Sequence, residues 1–181
     1  MAETHAPFPV KYFIGVLFSD KELLLSSLVN LQNLWGNIDF QSQDYSFDVT
    51  DYYEPEMGAS IYRRIVTFEK LYEPTLLVDM KLKCNDLENE IAIDSKRQVN
   101  LDAGYLDHNK IILASAKEAG QKVYLDKGIY ADLAGRYKDG KYQPFEWSFP
   151  DFKDGRYDKE LLLVRKIYLK QWKEHRDSLK K

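Results

Sequence analysis

Arg97, Asn100, Asp102, Tyr105, Ser115 and Lys117 fall within one short stretch, RQVNLDAGYLDHNKIILASAK. Guanidinium, ammonium and hydroxyl groups gathered this closely suit the binding of an anion, because charge-assisted hydrogen bonds are the strongest a protein offers to phosphate or carboxylate. The stretch reads as two alternating strands about a tight turn, Asp102-Ala103-Gly104-Tyr105, in which Gly104 would supply a positive φ. On the second strand Leu113, Ser115 and Lys117 share a face, and the next hairpin would set Tyr124, Tyr130 and Asp132 beside them. Tyrosines there would offer stacking surfaces. Arg63 and Arg64 are adjacent in an earlier strand and must point to opposite faces, so only one can join such a site. Arg63 is assigned to it. The expected result is a pocket for a small anionic ligand, phosphorylated or nucleotide-like; the plainer alternative is an exposed polar sheet face.

A second group is acidic. DVTDYYEPEMG places Asp48, Asp51, Glu54 and Glu56 around two tyrosines, and Asp51, Glu54 and Glu56 could hold magnesium together with a phosphorylated ligand. The alternative is a solvated acidic loop. A single pocket needs both signs of charge, so residues 51–58 are expected to lie beside residues 97–105.

Other motifs exclude chemistries. GRYKDGKY matches the start of a phosphate loop, but Tyr142 stands where Ser or Thr is required and Pro144 follows; Asp139-Gly140 is instead a hairpin signal. His5, His108 and His175 are isolated, and with Cys84 they lack zinc spacing. Cys84 falls in a helical apolar stripe, where a thiol is inert. No nucleophile elbow and no dinucleotide fingerprint occur.

The elements that must position these residues follow from periodicity. KYFIGVLFS is a short continuous apolar run, a central strand buried on both faces. Ser19 and Glu22 have capping-box spacing ahead of Leu24, Leu28, Leu31 and Trp35 on one helical face, with Gly36 as the stop. DYSFDVT alternates as a strand, a second strand falls within Ala59 to Leu71, and Pro74 opens a helix carrying Leu77, Met80, Cys84, Leu87 and Ile91. A strand through Val99 and Leu101 completes β-α-β-β-α-β. An α+β fold with a ferredoxin-like βαββαβ core is therefore expected, its antiparallel sheet extended by C-terminal hairpins and closed by a terminal helix from Asp158 through Leu161, Val164, Tyr168, Trp172 and His175.

With 181 residues, 44% hydrophobic and 30% charged, the chain has the composition of one globular domain spanning residues 1–181. The 29 acids and 26 bases are interspersed, for a net charge of −3, which argues against nucleic acid and anionic membrane as partners. The apolar run Tyr12 to Phe18 is far too short to span a bilayer, the N-terminus lacks a leader pattern, and one cysteine fits a reducing compartment. A cytoplasmic location is expected.

TDYYEPEMG with the Arg63 strand, RQVNLDAGYL, KIILASAK, VYLDKGIYADL and WSFPDF resemble an uncharacterised prokaryotic family, the domain of unknown function 4416 family, some of whose members carry a GTP-binding label. The likeness covers most of the chain. The family pattern has Arg where this chain has Gln98, Pro in place of Ala103 and Glu in place of Asp132. The resemblance implies a shared polar surface rather than a reaction, and the failed phosphate loop gives the GTP label no footing. Two functions follow as expectations: a binding protein for a small anionic ligand, whose catalytic residues, if any, are unknown, or a noncatalytic interaction module whose surface draws on 13 tyrosines.

Overall fold

The computed structural model describes residues 1–179. Its first strand, β1 (Lys11–Phe18), is buried along its whole length. Period-two alternation sends Tyr12, Ile14, Val16 and Phe18 into one apolar cluster, while Phe13 and Leu17 enter two others on the opposite face. The continuous apolar run is thus explained by burial on both faces. Lys11, also buried, donates through Nζ to Gln171 Oε1 at 2.9 Å.

Helix α1 (Lys21–Trp35) buries Leu24, Leu28, Leu31 and Trp35 as the spacing requires, and Gly36 ends it at φ 86°. Its cap is not Ser19. Asp20 holds the extended cap conformation, and its carboxylate accepts from the Glu22 and Leu23 amides at 2.6 and 3.2 Å. A carboxylate at the positive helix end is at least as good a cap as a hydroxyl.

The next strand is β2 (Ile38–Gln41); of the DYSFDVT run only β3 (Tyr45–Ser46) is strand. Phe47 and Val49 instead pack with Leu17, Met57 and Ile61. Their alternation marks a loop folded over the end of β1, pinned by the short helix α2 (Glu54–Met57). After β4 (Tyr62–Phe68), a 3₁₀ turn at Pro74–Leu76 leads into α3 (Leu77–Ile91), which buries Leu77, Met80, Cys84 and Leu87.

Strands β5 (Val99–Leu106) and β6 (Lys110–Ser115) follow. The turn between them is not Asp102 to Tyr105, which lie inside β5. It is Asp107 to Asn109, closed by Asp107 Oδ1 accepting from the Asn109 and Lys110 amides at 2.7 and 2.9 Å. Gly104 is glycine for a different reason. A Cβ there would lie 2.7 Å from Ile112 O and 2.8 Å from Phe13 Cζ, so the strands approach too closely for any side chain.

Two tight hairpins connect β7 (Val123–Asp126), β8 (Ile129–Lys138) and β9 (Lys141–Pro144). Both loops have two positive-φ residues, Lys127 and Gly128 at 50° and 78°, Asp139 and Gly140 at 52° and 84°, as type I′ turns demand. Gly140-Lys141 is therefore hairpin, not phosphate loop. Helices α4 (Pro150–Lys153) and α5 (Asp158–Ser178) end the chain; α5 buries Leu161, Val164 and Tyr168.

The nine strands of the described residues form one sheet, ordered β2-β4-β1-β5-β6-β8-β7, with β3 joined to β4 and β9 to β8. Every pairing is antiparallel. Helices α1 and α3 contribute to the cluster on one face, α4 and α5 to that on the other. The protein is α+β, a large antiparallel sheet between helices.

Candidate functional site

Strands β5 and β6 pair only from Gly104 opposite Leu113 to Leu106 opposite Ile111. On the far side of Gly104 they part. β5 continues along β1 to Val99, while β6 continues along β8 to Ser115. The separation leaves backbone groups of β5 without a strand partner, and buried amides require one. Helix α3 supplies it: Leu101 N donates to Glu88 Oε1 at 2.7 Å, and Lys81 Nζ donates to Leu101 O at 3.0 Å. Lys81, Asn85 and Glu88 fall on one helical face.

Residues of both separated ends line a cavity of about 640 Å³, with the segment Phe47 to Tyr53 and α4 completing its wall. That volume suits a small organic ligand. An ion-pair chain crosses it. Arg63, 4% exposed, places Nη2 2.9 Å from Asp102 Oδ2 and Nη1 2.6 Å from Asp151 Oδ2. Tyr157 OH donates to the same Asp151 oxygen at 2.9 Å, and the guanidinium carbon lies 4.8 Å from the Phe47 ring centre. Burial alone would lower the Arg63 pKa; the carboxylates of Asp151 and Asp102 outweigh it, and the net shift is upward. Arg64 points away, as strand geometry requires, to Asp44 at 2.8 Å.

Asn100 extends the chain by donating to Asp102 Oδ1 at 2.9 Å and accepting from Arg97 Nη1 at 3.0 Å. Arg97 forks onto Glu56, Nε to Oε2 at 2.8 Å and Nη2 to Oε1 at 2.9 Å. The acidic loop and the Arg97 segment therefore meet. Those Arg97 hydrogen bonds pull the Glu56 carboxyl down to about 2 from an ordinary 4.5. A depressed folded-state pKa adds stability that is complete above the unfolded value and disappears as pH falls through the folded one. Comparing urea midpoints of wild type and Glu56→Gln, we expect a constant difference above pH 4.5 that closes between about pH 4.5 and 2.

At the other wall Lys122 Nζ donates to Ser115 Oγ at 2.8 Å and lies 3.8 Å from Asp132 Oδ2. A serine beside a lysine can be a nucleophile. Here the hydroxyl also accepts from Lys117 N and donates to Lys117 O, and the ammonium serves as counter-ion to Asp132, so the pair closes a turn. Burial raises the Asp132 carboxyl above its usual range. Lys117 stands two residues beyond β6, in the turn closed by Ser115 rather than on the strand face, Nζ 3.2 Å from Tyr52 OH and 4.6 Å from that ring centre. Hydrogen bonding to Lys117 lowers the Tyr52 phenol pKa, with Arg97 adding to the effect.

Arg63, Arg97, Asn100, Asp102, Ser115, Lys117 and Asp132 are thus gathered about one cavity. The three expected tyrosines are not among its lining residues. Tyr105 is buried against Tyr12 at 5.5 Å, and Tyr124 packs edge-on to Tyr130 at 5.3 Å. Tyr105 and Tyr124 line a separate groove with Leu77 and Val78. The aromatic surfaces at the cavity are Tyr52, Tyr53, Phe47 and Phe149. Sequence reading also missed Lys81, Glu88, Lys122 and Asp151. Lys81 and Glu88 each adjoin an apolar-stripe residue, Met80 and Leu87, and that position at the stripe's border was the available signal. Asp151 carried none beyond its place in WSFPDF.

The metal assignment does not hold together. Glu56 is engaged by Arg97, whereas Asp51 and Glu54 line a different surface groove with Asp48, which pairs with Arg156 at 3.0 Å. Among the described residues no three His, Cys, Asp or Glu side chains are grouped to hold a metal ion. Cys84 is buried and its thiol pKa is raised by desolvation, so it is no nucleophile. His108 packs on Trp172 at 4.6 Å. Among the described residues no helix is long and apolar enough to cross a membrane.

A mixed sheet-and-helix protein with a charged cavity at parted strands is the class these observations define. Residues 8–168 match the family model described as Domain of unknown function (DUF4416), and the chain belongs to that family. Neither the curated proteins nor the solved structures contain a match to it.

Proposed function

We propose that the protein binds a small polar ligand bearing an anionic group in the cavity between β5 and β6, with Lys117 as its counter-charge. One observation carries this reading. Five cations line the cavity, Arg63, Lys81, Arg97, Lys117 and Lys122. Four of them lie within 4.0 Å of a carboxylate, on Asp102 and Asp151, Glu88, Glu56 and Asp132 respectively. Among the described residues the Lys117 ammonium contacts only the hydroxyl and ring of Tyr52, so it is the charge left for a ligand. Tyr52 and Tyr53 add flat surfaces to the same wall.

The order β2-β4-β1-β5, with α1 and α3 on one face, supports a ferredoxin-like core as the scaffold. The interspersed charges and lone cysteine support a cytoplasmic protein of one domain that does not bind nucleic acid. A second reading, a protein-interaction module, is favoured by β7, an edge strand with Val123, Tyr124 and Leu125 exposed.

Thermal-shift screening with inorganic phosphate, phosphate esters and small carboxylates tests the first reading. A ligand at one hundred times its dissociation constant stabilises the native state by about 2.7 kcal/mol. We expect a shift with wild type and its near loss in Lys117→Gln, whose own melting temperature stays close to wild type because the side chain is exposed. Equal shifts in both proteins would remove Lys117 from the site.

A further inference from the structure

Among the described residues, Arg63 Nε, Asp132 Oδ1 and Asp151 Oδ1 are buried without a hydrogen-bond partner. Asp132 and Asp151 are 5% and 0% exposed, and all three residues line the same cavity. Buried polar atoms that stay unpaired in a native protein call for an explanation, and an absent ligand is one. The chemistry of the three atoms restricts what that ligand is. Two are carboxylate oxygens, which need donors; the third is an N–H, which needs an acceptor.

An anionic group answers Lys117 but is a poor partner for Asp132 and Asp151, whose carboxylates would repel it. The ligand must have two unlike ends. One carries the negative charge and meets Lys117. The other is neutral and hydrogen-bonds in both directions at once, donating to the carboxylates and accepting from Arg63. A hydroxyl does both through a single atom, whereas an amine N–H only donates and an ether only accepts.

Resting on the reading of the cavity as the ligand site, we infer that it takes a polyhydroxylated anion of the sugar-phosphate or sugar-acid class, hydroxyls toward Asp132 and Asp151 and the charged end toward Lys117. The phenol of Tyr52, whose acidity Lys117 raises, lies at the charged end, where it donates to the anion.

Titration calorimetry of wild type against ribose 5-phosphate and gluconate, beside the chain-matched pentyl phosphate and hexanoate and inorganic phosphate, provides the test. A hydrogen bond to a charged group corresponds to roughly tenfold or more in affinity. We expect one hydroxylated probe to bind at least about tenfold more tightly than its chain-matched control, the phosphate and carboxylate arms showing which charged end is preferred. Asp132→Asn should weaken the hydroxylated probe and leave the control unchanged. If pentyl phosphate, hexanoate or inorganic phosphate binds as tightly as the hydroxylated probes, the hydroxyl assignment is wrong while Lys117 remains an anion site. If no probe of either charge type binds, the reading of the cavity falls and this inference with it. The wild-type comparison needs no variant, so a poorly folded Asp132→Asn would not remove the test.

Discussion

Arg63→Ala is expected to lower the unfolding free energy by about 3–5 kcal/mol, the usual cost of removing one partner from a buried ion pair. The loss comes less from the contacts removed than from the charges stranded. Asp151 is fully buried, and its Oδ2 would keep only the hydrogen bond from Tyr157, with Asp102 losing its cation as well. The signature separating this from simple loss of packing is non-additivity. In a double-mutant cycle with Asp151→Asn, the second substitution should cost much less in the Arg63→Ala background than in wild type, because the stranded carboxylate is then gone. Urea midpoints at constant slope measure all four proteins. Additive losses would show that Arg63 stabilises the fold through its stacking on Phe47 rather than through charge.

Gly104→Ala should be the next most damaging of the changes considered, costing roughly 1–3 kcal/mol by overpacking. Its φ is not positive, so the cost is purely steric. The added methyl would meet a backbone oxygen and a ring held in the centre of the sheet, and neither can move without disturbing β1 or β6. Chemical denaturation measures the loss. A neutral result would mean that β5 and β6 shift apart at low cost, making their separation beyond Gly104 a soft feature of the sheet.

Gly104 also shows where sequence reading stops. Glycine serves both a turn and a close strand approach, and Asp102-Ala103-Gly104-Tyr105 has as good turn chemistry as Asp107-His108-Asn109; only the partner strand decides between them. Local order was legible because local periodicity generates it: β1, the Leu24-to-Trp35 stripe of α1, the Asp139-Gly140 hairpin and the opposed Arg63 and Arg64 all follow from side-chain spacing. The cap was misplaced by one residue because Ser19 and Asp20 are both good caps.

The candidate site was legible as an inventory of residues rather than as a set of pairings. Arg97 meets Glu56 across 41 residues of sequence, and Arg63 meets Asp151 from another element altogether. Tyr105 was misplaced because it lies inside β5 rather than in a turn, and Tyr124 and Tyr130 because they pair with each other at the β7 edge of the sheet, beyond the parted strands. Lys122 lies outside the regular elements and Asp151 in a four-residue helix, too short for spacing to set direction.

The parting of β5 and β6 has a consequence for how the molecule meets a ligand. Two strands lying side by side with free amides would ordinarily zip together, and a gap that opened only on demand would impose that rupture on every binding event. Here Glu88 occupies the N–H donor of Leu101 and Lys81 its carbonyl acceptor, acting as a wedge that keeps the strands from closing. The cavity is therefore a standing property of the native state, and a guest would enter a space already opened, so that its affinity is not reduced by the work of making room.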